Sequence, residues 1–192
     1  ALERSSIAPS EVTHIVTASC TGFASPGVDH IIIDRLGLPR GTRRTNVGFM
    51  GCHAAINALR VAIAFARSEP DAVVLVVSTE LCSLHIRVSD DPQQIVAASV
   101  FGDGAAAAVV TGAADIGRPG GFDLDGFATT LTSEGETDMT WTIGDRGFDM
   151  ILSAEVPRII GREIRDAVGP VLDGVDAWAV HPGGRSVLDR VE

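Results

Sequence analysis

Cys52 is the residue of this sequence whose position is best suited to covalent chemistry. It follows a short β-prone stretch at 46–50 and precedes a helical pattern at 54–67, which predicts a strand-to-helix elbow. A helix N-terminus and a nearby imidazole each lower the pKa of a thiol, and the thiolate is the nucleophilic form. We therefore interpret Cys52 as a candidate nucleophile, with a buried structural cysteine as the alternative.

His181 is the second residue whose surroundings indicate chemistry. It follows a predicted strand at 177–180 and precedes Pro182-Gly183-Gly184. Open α/β sheets bind their ligands beyond the carboxyl ends of their strands, so an imidazole at this point is well placed for catalysis. A loop histidine without a role is the alternative that the pattern leaves open.

Metal and phosphate sites are weaker interpretations. Cys52-His53 and Cys82-x-x-His85 offer soft ligands in pairs, but adjacent residues of a helix point apart and structural zinc sites show other spacings. The glycines at 101–105 lack the spacing and the lysine of a phosphate-binding loop, so they predict a tight turn before a strand. We expect no metal ion.

The elements that position these residues alternate between strands and helices. Apolar runs bounded by turn residues predict buried strands, and a spacing of three and four predicts helices, of which 54–67 places Ile56, Leu59, Ala62, Ile63 and Ala66 on one face. Helices between buried strands indicate an α/β fold with helices on both sides of a sheet. A stretch rich in Gly and Asp at 115–126 predicts the boundary between two halves. The predicted strands are 13–18, 72–79, 105–111, 127–132 and 140–143, and the remaining helices are 27–36 and 156–172.

Composition narrows the function classes. A net charge of −10 without any basic run argues against nucleic acid and anionic membranes as partners. No apolar run reaches the ~18 to 20 residues of a membrane span. An odd number of widely spaced cysteines favours a reducing cytoplasm. Both ends of the sequence read as the inside of a helix, so we expect an internal fragment of a longer protein.

Three motifs in order resemble the chalcone synthase-like group, the type III polyketide synthases of the thiolase-fold superfamily. They are Gly51-Cys52, the Phe-Gly-Asp-Gly-Ala-Ala-Ala segment at 101–107, and His-Pro-Gly-Gly at 181–184. Ketoacyl synthase III enzymes usually carry His-Gln-Ala-Asn in place of the His-Pro-Gly-Gly motif. The resemblance implies a layered αβαβα fold, incomplete at both ends. It assigns 1–116 to an N-terminal half with the nucleophile and 117–192 to the beginning of a C-terminal half with the histidine.

The resemblance also implies roles for individual side chains. Phe101 and Phe148 resemble the two gatekeeper phenylalanines between which the coenzyme A arm delivers its thioester. Cys20 resembles the second cysteine of the bacterial branch that makes tetrahydroxynaphthalene, although His53-Ala54-Ala55 departs from that branch. The positions that match cavity-lining residues are Cys82, Leu84 and Met139.

The activity implied by the resemblance is polyketide synthesis without a cofactor. An acyl-CoA starter is loaded on Cys52 and extended by decarboxylative Claisen condensation with malonyl-CoA, in a homodimer. The family triad is Cys-His-Asn, but no asparagine follows His181, so we expect the chain alone to be inactive. A ketoacyl-ACP synthase III-like enzyme and a non-catalytic thiolase-fold scaffold are the alternatives.

Overall fold

A computed structural model describes residues 1–112, 121–145, 147–171 and 173–192. The described residues form two units, Ala1–Leu84 with Asp103–Leu124, and His85–Gly102 with Asp125–Glu192. Among them, no helix combines the length and hydropathy that a membrane-crossing segment requires. The helices are α1 (Leu2–Ser5), α2 (Val28–Leu36), α3 (Ala54–Ser68), α4 (Pro92–Val100), α5 (Val156–Val168) and α6 (Arg185–Val191). The strands are β1 (His14–Ser19), β2 (Arg43–Gly48), β3 (Val73–Glu80), β4 (Gly104–Thr111), β5 (Met139–Gly144) and β6 (Gly147–Leu152).

The first unit is a layered α/β structure, as predicted. Its described residues form a sheet with the order β2-β1-β3-β4, in which β1, β2 and β3 are parallel and β4 is antiparallel to β3. Val16 and Val76 are paired in the sheet and pack with α3 on one face. Ile15 and Leu75 are paired on the opposite face, where Ile33 of α2 packs against them. Helices therefore cover both faces of the sheet.

The helix α3 lies on the sheet through its alanines. These side chains recur every four residues, which places them on one face of a helix, and all are buried. The predicted face was therefore partly wrong, because Ile56 is 49% exposed. Methyl-sized side chains let the helix backbone approach the strands closely, so small residues occupy the contact. The buried alanines are Ala54, Ala58, Ala62 and Ala66.

Four strand predictions need correction. The strand predicted at 105–111 exists as β4, but its first five residues are exposed because β4 is the last strand of the described sheet. The stretch 46–50 is the end of β2, which begins at Arg43 because that residue pairs with His14. The segments 127–132 and 177–180, predicted as strands, form no strand in the described chain.

The second unit contains the hairpin β5-β6 and helices α4, α5 and α6. The strand predicted at 140–143 is confirmed within β5, whereas β6 was not predicted. The helix predicted at 156–172 ends at Val168 and is followed by a 3-10 turn, Gly169–Val171, while residue 172 lies outside the described residues. Much of the predicted boundary at 115–126, with the division between 116 and 117, also lies outside them.

His14 is a buried histidine at the first position of β1. Its exposed fraction is 1%, and its ring stacks on Phe65 with a centroid distance of 4.6 Å. Arg43 Nη1 is 3.0 Å from Nε2, and Thr13 Oγ1 is 2.8 Å from Nδ1. A guanidinium only donates, so Nε2 accepts and the proton is on Nδ1. Burial, and then the Arg43 charge, lower the pKa of His14, while Glu69 opposes them.

We expect His14 to make folding stability fall in acid. The unfolded chain binds a proton below the ordinary histidine pKa of about 6.5, whereas the buried ring stays neutral, so the free energy of unfolding falls from there down to the lowered folded pKa. The slope contributed by one such group is at most about 1.4 kcal/mol per pH unit. Urea denaturation across this pH range should show a flatter profile for His14→Gln. The exposed His30→Gln is the control, and equal slopes in both variants and the parent would contradict the assignment.

Candidate functional site

The carboxyl ends of β1, β2 and β3 meet at one edge of the first sheet because these strands are parallel. The chain leaves β1 into the turn at 19–22, leaves β2 into the elbow at 49–53, and leaves β3 into a 3-10 turn, Cys82–His85. Cys20, Cys52 and Cys82 each lie in one of these three segments. Parallel pairing therefore gathers at one edge three thiols that are far apart in sequence.

Cys52 lies on a tight elbow, as predicted. Phe49 and Gly51 have positive φ values of 54° and 62°, and a 3-10 turn, Gly51–His53, leads directly into α3. The left-handed conformation is strained for a bulky residue such as Phe49, and such residues concentrate at functional sites. Cys52 is an exposed free thiol. The elbow therefore leaves Cys52 outside the core of the first unit.

Cys20 fastens the first turn to this elbow. Its side chain is 9% exposed, and the Gly51 N–H donates to Cys20 Sγ over 3.2 Å. The Ser19 hydroxyl accepts the Gly22 N–H at 2.8 Å, which closes the turn after β1. Cys20 is therefore next to the Cys52 segment in the structure, as its predicted role requires.

Glu80 is a site residue that the sequence reading missed. It is the last residue of β3, and its carboxylate accepts the Cys20 N–H at 2.9 Å and the Thr21 N–H at 3.0 Å. The Thr21 hydroxyl donates to the same carboxylate and accepts the Leu81 N–H at 2.7 Å. Hydrogen bonds to a charged acceptor are among the stronger ones in proteins. The sequence feature that could have indicated Glu80 is an acidic residue directly at the end of an apolar strand.

The pKa of the Cys52 thiol is shifted in the direction opposite to the sequence-based expectation. Desolvation raises its pKa, and Cys20 and Glu80 raise it further, whereas a backbone hydrogen bond lowers it. The expected lowering by the helix N-terminus is therefore wrong as the net direction in this structure. Negative groups and lost hydration both disfavour the thiolate. These surroundings favour the neutral thiol, and a neighbouring cation would favour the thiolate instead.

Cys82 and Leu84 lie in the turn after β3. Cys82 is buried and Leu84 is 68% exposed, and desolvation raises the pKa of Cys82. The Asp103 carboxylate accepts the Ser83 hydroxyl at 2.6 Å and the Ser83 N–H at 2.8 Å, and these bonds lower the pKa of Asp103. The turn is therefore held to the residues that begin β4.

The remaining predicted residues belong to the second unit. Phe101 and Phe148 each contact the ring of Trp141, at centroid distances of 6.2 and 5.0 Å. Met139 is the first residue of β5 and is 41% exposed. His181 is exposed, and its carbonyl accepts the Gly183 N–H at 2.9 Å.

The predicted residues thus fall into two groups, one in each unit. Cys52 with Cys20 and Cys82 belongs to the first unit, whereas His181 belongs to the second. The pairing of Cys52 with His181 stays a prediction. Among the residues that the structure describes, no group of three or more His, Cys, Asp or Glu side chains is arranged to hold a metal ion.

Comparison with known proteins gives three consistent results. Residues 3–115 match the family model described as chalcone and stilbene synthases, N-terminal domain. The chain is 35% identical to the alpha-pyrone synthesis polyketide synthase-like Pks18 of Mycobacterium tuberculosis over 190 residues, which are 94% of this chain and 48% of that protein. The crystal structure of PKS-I from the brown alga Ectocarpus siliculosus matches with a TM-score of 0.91 at 34% identity, covering 99% of this chain and 52% of that one.

A bacterial structure extends the comparison. The 1,3,6,8-tetrahydroxynaphthalene synthase of Streptomyces coelicolor A3(2), a type III polyketide synthase, matches with a TM-score of 0.80 at 26% identity, covering 100% of this chain and 56% of that one. These matches confirm the predicted thiolase-like α/β fold. The chain spans about half the length of these three proteins.

Proposed function

Because the chain belongs to the chalcone and stilbene synthase family, which confirms the resemblance seen in its motifs, we propose that it carries the nucleophile and the histidine of a type III polyketide synthase. The observation that supports this most is Cys52, an exposed thiol on a strained elbow at the carboxyl edge of three parallel strands. Residues 1–116 belong in this proposal to the half with the nucleophile, and 117–192 to the half with His181.

The first step of the proposed reaction is acyl transfer. Cys52 is a poor nucleophile in its own surroundings because its pKa is raised. In the proposal the His181 imidazole takes the thiol proton, and the resulting ion pair provides the missing cation. The thiolate attacks the carbonyl of an acyl-CoA starter, the bond from that carbonyl to the coenzyme A sulfur breaks, and coenzyme A leaves as a thiolate that takes a proton from water. The His181 imidazole keeps the proton that it took from Cys52. An acyl thioester on Cys52 results.

The second step is decarboxylative condensation. Malonyl-CoA loses carbon dioxide, and the electron pair of the broken bond forms an enolate. Its developing negative oxygen needs hydrogen-bond donors, and the Nε2–H of His181 is the donor that this chain offers. The enolate carbon attacks the acyl carbonyl on Cys52, and the Cys52 thiolate leaves. Acyl-CoA and malonyl-CoA are thus substrates, and the proposal includes no further cofactor.

Several residues shape the proposed cavity. Cys20 and Cys82 are next to the nucleophile along the sheet edge, and Leu84 and Met139 are the other proposed lining positions. Phe101 and Phe148 are proposed as the gate through which the thioester arrives. The contact of Cys20 with Gly51 and the contacts of Phe101 and Phe148 with Trp141 support this proposal.

We also propose a cytoplasmic homodimer. Phe23 and Phe49 support a second copy as partner, because their rings meet edge to face at 5.8 Å while Phe23 remains 72% exposed. Exposed aromatic groups of this kind mark interaction surfaces. The three free thiols are consistent with a reducing compartment.

The proposed function is tested with the protein expressed from its whole reading frame. Acyl-CoA starters are supplied with either malonyl-CoA or a malonyl carrier protein, and products are identified by mass spectrometry. Extension from malonyl-CoA supports the proposal. Extension only from the carrier protein supports a ketoacyl-ACP synthase III-like enzyme. No extension, with Cys52 alkylated by iodoacetamide no faster than Cys82, supports a non-catalytic scaffold.

A further inference from the structure

Four rings of the second unit form a continuous cluster. Trp141 stacks on Phe148 with an interplanar angle of 22° and a centroid distance of 5.0 Å, and Phe101 meets the indole edge to face at 6.2 Å. The His85 ring contacts the Phe148 ring edge to face, with a centroid distance of 4.6 Å. All four residues are partly buried, so the cluster is neither a closed core nor an open surface.

The β5-β6 hairpin and helix α4 position these rings. Trp141 and Phe148 are on neighbouring strands of the β5-β6 hairpin, two positions out of direct register. Such diagonal neighbours are within reach of aromatic side chains. Phe101 ends α4, where its N–H donates to the Ala97 carbonyl at 3.0 Å, and the Gln94 side chain of the same helix donates to the Met150 carbonyl of β6 at 2.6 Å. The helix and the hairpin thus set where the rings meet.

We propose that Trp141 is a specificity-determining residue that sets the width of the acyl entrance. This inference rests on the proposed function, in which Phe101 and Phe148 form the gate. Because the indole contacts both phenyl rings, it occupies space beside the gate and restrains the orientation of each ring. Stacked and edge-to-face pairs favour one arrangement over others by up to about tenfold in population.

The chemistry that such an entrance discriminates is the bulk of the acyl group. A rigid indole narrows the passage for a long or branched chain, whereas a short chain passes without displacing it. Pocket contacts that differ by a few methylene groups change the preference of an enzyme by about tenfold or more. Trp141 therefore acts on the ratio between starters rather than on the condensation itself.

The test compares starter profiles of variants of the whole protein. Rates are measured with hexanoyl-CoA and palmitoyl-CoA, each extended with malonyl-CoA. We expect Trp141→Leu to raise the palmitoyl-to-hexanoyl ratio of kcat/KM by about tenfold, because the passage widens. Trp141→Phe keeps a stacked ring and should stay within about threefold of the parent ratio. Trp178→Leu removes the other tryptophan of the chain, which is 52% exposed, and should leave the ratio unchanged.

The outcomes of this test distinguish failure of the inference from failure of the proposed function on which it rests. A parent protein that extends neither starter overturns the proposed function, and the inference with it. An active parent whose ratio is the same in Trp141→Leu as in Trp178→Leu overturns the inference alone. If Trp141→Leu does not fold, the tryptophan fluorescence of the parent and of Trp141→Phe is measured during titration with palmitoyl-CoA. A fluorescence change that occurs in the parent and is lost in Trp141→Phe supports the inference, and equal fluorescence changes in both proteins overturn it.

Discussion

Replacing Cys52 with alanine is expected to abolish acyl loading of the protein. In the proposed reaction the acyl group is bound as a thioester to the Cys52 sulfur, and alanine has no atom that can attack the starter carbonyl. Intact-protein mass spectrometry after incubation with an acyl-CoA should show the acyl adduct on the parent and no adduct on Cys52→Ala. The loss should be complete rather than graded, because no other group takes over the covalent step.

The matched variant for this experiment is Cys82→Ala. Cys82 is buried in the turn after β3, so it is a thiol of the same unit that the proposed reaction does not acylate. We expect this variant to retain the adduct on the peptide that contains Cys52. An adduct of equal yield on Cys52→Ala, or one that disappears only in Cys82→Ala, would remove Cys52 as the nucleophile.

Replacing His181 with alanine should lower malonyl-CoA decarboxylation by about 10² to 10³. The reason is the loss of a preorganised donor at the oxygen that becomes negative. The decarboxylation rate is measured as carbon dioxide released from malonyl-CoA by the whole protein. His30→Gln, an exposed substitution on α2, is the control and should keep the parent rate.

A second measurement on the same variant tests the pairing itself. The surroundings of Cys52 raise the pKa of its thiol, and in the proposal the His181 imidazolium opposes this shift. We expect iodoacetamide alkylation of Cys52 to begin at higher pH in His181→Ala than in the parent, because the raised pKa of the thiol is then no longer offset by an imidazolium. Identical pH profiles and identical decarboxylation rates would show that His181 is not the partner of Cys52.

The candidate site was only partly readable from sequence because its components differ in the range of their interactions. The elbow at Cys52 depends on neighbouring residues, so a β-prone stretch, a glycine and a helical pattern predicted it. The Glu80 network joins residues about sixty positions apart, and no local pattern reports such a contact. The contact of Trp141 with Phe101 likewise depends on how α4 packs on the hairpin.

Secondary structure shows the same division. The strand at 13–18 and the helix at 27–36 were predicted within one residue, because turn residues such as Gly37 with a φ of 64° end them locally. The stretches 127–132 and 177–180 have the composition of strands but form none in the described chain. Whether a β-prone stretch joins a sheet depends on how it packs and pairs with distant segments, and that is a tertiary property.

The sequence by itself therefore indicated the family, the α/β layering and the candidate thiol and imidazole, since residue types, short motifs and periodicity are local. Only the tertiary structure decided the direction of the Cys52 pKa shift, the role of Glu80 and the ring cluster around Trp141. These depend on desolvation and on contacts between distant segments, whose energies arise only when the strands and helices pack.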